Sequence, residues 1–126
     1  MIRQYRLVTP AIASNTATIT SEVITGEILS VEINYPAGTC TVDLNAQEGI
    51  VQEILNLAAA NTDTVVYPRV QLHDNTGTNL DLSDLEGGDT KVYGYFAVHG
   101  RLKLDIASGT NGQIVTIFIN VRQWNL

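Results

Sequence analysis

The side chains from which chemistry would start are two histidines, one cysteine and a crowd of acids in a single stretch. His73 is followed by Asp74, and a His–Asp pair is the base and its orienting group in a nucleophilic triad. The serines that would complete it sit in no nucleophile setting, and nothing resembles G-x-S-x-G. His73 therefore reads as a residue at the mouth of a loop, and His99 as a hydrogen-bonding group near a strand end. Cys40 alternates with polar residues in Thr39–Leu44, on the face of Val42 and Leu44, with no histidine nearby in sequence. That is the setting of a small buried hydrophobe, not of an activated thiolate. Residues 74–89, DNTGTNLDLSDLEGGD, hold five acids and three glycines. Asp74, Asn75, Asn79, Asp81, Asp84, Glu86 and Asp89 are oxygen donors of the kind calcium takes. The EF-hand spacing is absent, because Gly77 falls too early and Thr76 holds the third position. A solvated acidic loop is the favoured reading. One cysteine and two histidines make no credible zinc set. Gly87-Gly88 belongs to neither a P-loop nor a dinucleotide fingerprint. Tyr93 and Tyr95 share one strand face and Trp124 stands near the C-terminus, as sugar platforms do in carbohydrate-binding sandwiches. Aromatics so placed are more often core or interface. The residues thus lead to an expectation of no enzyme, no cofactor and no metal.

The elements that would position these groups follow from composition. The chain has 126 residues, the size of one domain. Apolar residues make up 44% and charged residues only 16%, below the roughly 25% of ordinary globular domains. A surface partly covered by sister subunits would account for that shortage. Thirteen acids against seven bases give a net charge of −6, which excludes the basic footprint of a general nucleic-acid binder. Lys91 and Lys103 are the only lysines, while Thr, Ile, Val and Asn abound. β-Branched side chains pack well on a pleated surface, so the expectation is all-β. No run approaches the roughly 20 apolar residues that cross a bilayer as a helix. Thr9 and Pro10 interrupt the only apolar stretch near the start, so no export signal is read. A protein made in a reducing cytoplasm is expected.

Period-2 alternation marks the strands. In Glu27–Tyr35, Leu29, Val31, Ile33 and Tyr35 share a face. Pro36-Ala37-Gly38 then turns the chain into Thr39–Asn45, and the pair is predicted as a hairpin. Arg101–Ala107 and Ile114–Val121, separated by Ser108-Gly109-Thr110-Asn111-Gly112, are predicted as a second hairpin. Thr64–Leu72 contains Pro68, which points to an edge strand or bulge. Residues 50–60 are ambiguous: Ile50, Val51, Ile54, Leu55 and Ala58 fit a helical period, while composition and neighbours favour a strand. Residues 1–15 form an extended N-terminal arm that either adds an edge strand or reaches to a neighbour. Residues 16–126 form one domain. The predicted fold is a β-sandwich or jelly-roll-like small barrel of seven to eight short antiparallel strands.

Three stretches carry a resemblance. They are Ile24-Thr25-Gly26-Glu27-Ile28-Leu29-Ser30-Val31, then Asn61-Thr62-Asp63 with Tyr67-Pro68-Arg69, then Val98-His99-Gly100-Arg101-Leu102-Lys103-Leu104 with Ile106-Ala107 and Gly109. In this order and spacing the chain resembles small virion proteins of tailed bacteriophages, of the capsid decoration or cement type, over residues 24–121. The element Tyr67-Pro68-Arg69 departs from that pattern in carrying Val66 where a further aromatic often stands, and loop 74–89 is idiosyncratic. The resemblance implies an all-β protein on the outer surface of a capsid, bound to the major capsid protein and often trimeric. It implies no nucleic-acid or membrane partner. On that reading Ile2, Tyr5, Arg6 and Leu7 form a docking arm. Arg69 beside Tyr67 anchors a carboxylate, and Trp124 and Leu126 are apolar interface groups. The plainer alternatives are an arm that closes a sheet edge, an Arg69–Asp63 pair and a Trp124 that caps the sandwich. A glycan-binding or host-attachment module of a phage fibre is the competing function.

Overall fold

The computed structural model describes residues 1–80 and 91–124. Among them lie eight strands and no helix. They are β1 (Ile2–Val8), β2 (Ala17–Asn34), β3 (Cys40–Ala46), β4 (Gln52–Ala60), β5 (Thr64–Val66), β6 (Arg69–Gln71), β7 (Tyr93–Ala107) and β8 (Thr116–Gln123). Every pairing is antiparallel. The strands form one unclosed sheet in the order β1-β8-β2-β7-β3-β4, with β5 beside β2 and β6 beside β7. The protein is all-β, a small sandwich made by folding this sheet over.

Two long strands make the fold-over. The first part of β2 pairs with β7, from Ala17↔Ile106 to Ile28↔Phe96. Its second part pairs with β8, from Gly26↔Gln123 to Asn34↔Thr116. Only Gly26, Glu27 and Ile28 pair with both neighbours. Beyond Ile28 the layers part: β5 takes the place beside β2, and β6 the place beside β7. Gly26 sits at this corner with φ +145°, buried. A Cβ there would run into the Arg122 carbonyl oxygen and the Val121 side chain. Only glycine meets both demands. On β7, a Cβ on Gly100, the partner of Ile24, would strike the Glu48 side chain. Both glycines lie in the stretches that carry the resemblance, and the one at Gly26 marks a corner in the backbone.

The core fills the space between the layers. Ile28, Val31 and Ile33 of β2 meet Leu102, Leu104 and Ile106 of β7, Val42 and Leu44 of β3, and Ile117, Ile119 and Val121 of β8. Fully burying a side chain of this size contributes roughly 1.5–3 kcal/mol. Two polar side chains enter the core and both are used: Ser21 Oγ accepts from Leu102 N at 2.9 Å, and Thr9 Oγ1 from Val115 N at 3.0 Å. One predicted core position shifts. A bulge between Ile28 and Ser30 makes Leu29 the extra residue, so Ile28 turns inward and Leu29 is half-buried.

Neither predicted hairpin forms. The strands exist, but β3 pairs with β7 and β4, and β8 pairs with β2 and β1. Residues 35–39 and 108–115 therefore cross from one layer to the other. The two crossings pack together, with Gly38 N donating to Gln113 Oε1 at 3.1 Å. A turn signal says that the chain reverses, and it reverses equally well within a layer or between layers. The hairpin that does form is β3–β4, joined through residues 47–51. Residues 50–60 are strand from Gln52 onward, as composition favoured. Register shifts opposite Leu44/Asn45 and Cys40/Val42 bulge β4, and Ile54 and Leu55 are both buried. The consecutive buried pair is what mimics a helical period.

Residues 1–15 take the first of their two expected roles. β1 runs along β8 for its whole length, from Ile2↔Arg122 to Val8↔Thr116. Ile12 is buried beyond it, and its amide donates to the Gln113 carbonyl at 2.8 Å. This segment is built into the sandwich.

Candidate interaction surface

The chemistry-bearing residues are dispersed. His99 lies on the outer face of β7, with Nδ1 2.8 Å from Thr25 Oγ1. His73 and Asp74 lie on an exposed turn. Asp74 Oδ1 accepts from Thr76 Oγ1 at 2.7 Å and from the amides of Thr76 and Thr78 at 2.8 and 3.1 Å. The hydrogen bonds from Thr76, first its hydroxyl and then its amide, hold the Asp74 carboxyl below its ordinary range. This aspartate organises a turn. Cys40 is a free, fully buried thiol, and burial pushes its pKa up, away from reactivity. Tyr35 is raised as well, by burial first and by Cys40 second. Among the described residues no three His, Cys, Asp or Glu side chains group as metal ligands. The loop acids Asp81, Asp84, Glu86 and Asp89, and the Gly87-Gly88 turn, lie outside the described residues, so the calcium possibility falls there too.

The expected interface residues divide. Tyr5 and Leu7 are buried, facing this chain's own core, because strand alternation sends them inward once β1 pairs with β8. The Tyr5 hydroxyl accepts from Gln123 Nε2 at 2.9 Å. These two cannot dock a neighbour. Ile2 and Arg6 face outward and are exposed. Tyr67 is 67% exposed and Trp124 42%. Leu126 lies outside the described residues.

Arg69 is the best-defined of the set. Its Nη1 donates to the carbonyls of Leu29 at 3.1 Å and Pro68 at 2.7 Å. Leu29 is the bulge residue of β2, and Arg69 reaches its carbonyl across the gap where β2 and β7 part. Asp63, the internal partner considered from sequence, instead accepts from the Tyr35 amide at 2.9 Å. The Arg69 guanidinium also stacks on the Tyr95 ring, 4.1 Å from its centroid. A second arginine, Arg122 of β8, lies over the same ring at 5.3 Å. Tyr93, two residues along the same outer face of β7, is 54% exposed. Arg69, Tyr95 and Arg122 thus meet at the parting of the layers, with Tyr67, Tyr93 and Trp124 each two residues along the chain from one of them. Sequence reasoning named Tyr67, Arg69 and Trp124 for an interface and the two tyrosines as aromatics sharing a face, but not Arg122. Its only signal was outward phase in β8, which it shares with many residues.

The described ion pairs lie elsewhere: Arg3–Glu22 at 3.0 Å and Lys103–Asp105 at 3.7 Å. Neither Arg69 nor Arg122 has a carboxylate within 4.0 Å among the described residues. Glu27 is the cross-strand neighbour of Arg122 yet makes no ion pair with it. What this arrangement can do is bind: guanidinium and aromatic side chains are the groups enriched in protein interfaces. In comparison with known proteins, the chain matches no family model, no curated protein and no solved structure.

Proposed function

We propose that this protein is a non-enzymatic capsid decoration, or cement, protein of a tailed bacteriophage. It binds the outside of the head through the major capsid protein, as a homo-oligomer with a trimer favoured. The observation that supports this most is the aromatic and arginine face at the parting of the layers. The Tyr67-Pro68-Arg69 element of the resemblance lies within it, and its exposed groups are of the type that anchor protein interfaces. Further exposed apolar residues, among them Ile2, Val23, Ile50 and Ile114, add surface for sister subunits or a shell. A protein that binds an assembled lattice and not its free subunits stabilises the lattice by mass action. Light scattering and cosedimentation test the reading. The expected result is three times the chain mass of 13.7 kDa, with pelleting on assembled capsid shells and no binding to unassembled subunits. A monomer that ignores shells overturns it.

A second reading, a glycan-binding or host-attachment module, draws on the exposure of Tyr93 and Trp124. Tyr95 adds little to it, because Arg69 already occupies a face of its ring. Binding of neutral glycans on an array, lost in Trp124→Ala, would favour this reading.

A further inference from the structure

We infer that the Tyr95 face recognises a carboxylate-bearing, extended protein segment, with Arg122 as the cation that meets it and Arg69 as the pinned support behind it. The inference rests on reading this face as the docking surface, and it adds the chemistry of the partner. Charge comes first. The chain carries net charge −6 with only seven cationic side chains, yet two of them converge on one tyrosine. Two guanidinium groups on one ring raise the local positive potential, which an anion would neutralise. Among the described residues no carboxylate fills that role within 4.0 Å.

Preorganisation comes second. Arg69 is fixed by two backbone carbonyls and by the Tyr95 ring, so little rotamer freedom remains to be lost on binding. Its two hydrogen bonds use Nη1 alone, and Nη2 and Nε make none among the described residues. Arg122 is exposed and its guanidinium makes no hydrogen bond among the described residues. Both forks retain donors suited to a carboxylate.

The apolar surroundings come third. Tyr67, Tyr93 and Trp124 are large, partly exposed rings that stand two residues along the chain from Arg69, Tyr95 and Arg122 respectively. A segment alternating acidic and apolar side chains matches cations and rings together. A neutral sugar would need open ring faces, and Arg69 covers one on the central tyrosine. An acidic glycan shares the charge but not the need for apolar contact, so it is the rival that the test must separate.

The test uses the full-length protein and fluorescein-labelled peptides (Glu-Val)4 and (Gln-Val)4, followed by polarisation and by Trp124 emission. The glutamate peptide is expected to bind about tenfold more tightly, with the difference shrinking between 50 and 300 mM salt. Arg122→Gln is expected to weaken it about three- to fivefold, the range of an exposed ion pair. Lys103→Gln removes the same charge from a site already facing Asp105 and is expected to change nothing. Equal binding of the two peptides overturns the inference, as does an equal loss in the Arg122 and Lys103 variants. Tighter binding of polygalacturonate than of the peptide, abolished in Arg122→Gln, overturns the assignment to a protein segment. If shells pellet the protein and Arg122→Gln pellets equally well, the inference fails while the decoration reading stands. If the glutamate peptide binds as expected and shells do not, the inference stands and the decoration reading fails.

Discussion

The corner at Gly26 and the flank formed by β3 and β4 are both sheet, but they are held differently. At the corner, Gly26–Ile28 has a strand on each side, no room for a Cβ at Gly26, and an arginine that donates to the Leu29 carbonyl at the adjoining bulge. On the flank, β4 has a single partner, two register shifts, and an approach through Ile50 and Val51 that stands in water, Ile50 being 92% exposed. The corner is overdetermined by backbone. The flank depends on side-chain burial along one edge and tolerates irregularity. Stability is therefore expected to concentrate in the first region and adaptability in the second.

Gly26→Ala is the most direct way to break this contrast. It is expected to cost at least about 3 kcal/mol, since backbone must move at both layers. Chemical denaturation would show it, and a loss below about 1 kcal/mol would mean that the corner is soft. Arg69→Met keeps the stem and its packing but removes the guanidinium that donates to the Leu29 carbonyl. A loss of about 1–3 kcal/mol is expected, the range for an unsatisfied buried acceptor. A neutral result would show that water replaces the guanidinium there.

The flank holds a defect that can be repaired. Asp43 of β3 stands directly across from Asp105 on β7, and its Oδ1 is buried without a partner. Like charges opposite one another in a sheet are destabilising. Asp43→Asn is expected to raise stability by about 0.5–1 kcal/mol, and a fall would show that the carboxylate is needed. A pH scan probes the same flank through Cys40, the cross-strand partner of Ala60. Burial raises the pKa of Cys40 and, with Cys40 as a second cause, that of Tyr35. The unfolded groups ionise at ordinary values, about 8.5 for the thiol. Stability is therefore full below that value and is lost as pH rises from it through the folded-state pKa. The Tm is expected to fall between pH 8 and 10, less steeply in Cys40→Ala. Equal slopes would remove the thiol from the explanation. The smallest effect belongs to the loop. Ile50→Lys with Val51→Lys is expected to change stability by less than about 0.5 kcal/mol. A larger loss, or a change of solution mass, would show that these residues are covered in an oligomer.

Much of this architecture was legible in the residues. β-Branched composition and period-2 alternation announced an all-β chain and placed most strands, because the side-chain period is local and imposed by the pleat. The strand at 52–60 emerged from composition even though a bulge disguised its period. Pro68 suggested an edge strand or bulge within residues 64–72, where the chain instead makes two short strands, β5 and β6, on either side of it. Pairing was not legible. The turns at 36–38 and 108–112 reverse the chain, but whether a returning strand lies beside its predecessor or across the core depends on every other strand competing for that edge. β8 and β5 hold the two sides of the end of β2, where a hairpin would have placed β3. The face around Tyr95 escaped for the same reason. Arg69, Tyr95 and Arg122 come from three strands, and only the parting of the layers brings their side chains onto one ring. Local periodicity decides which residues face inward, since it acts over two residues at a time. Long-range competition for edges and core volume decides which surfaces meet, and that exists only in the folded chain.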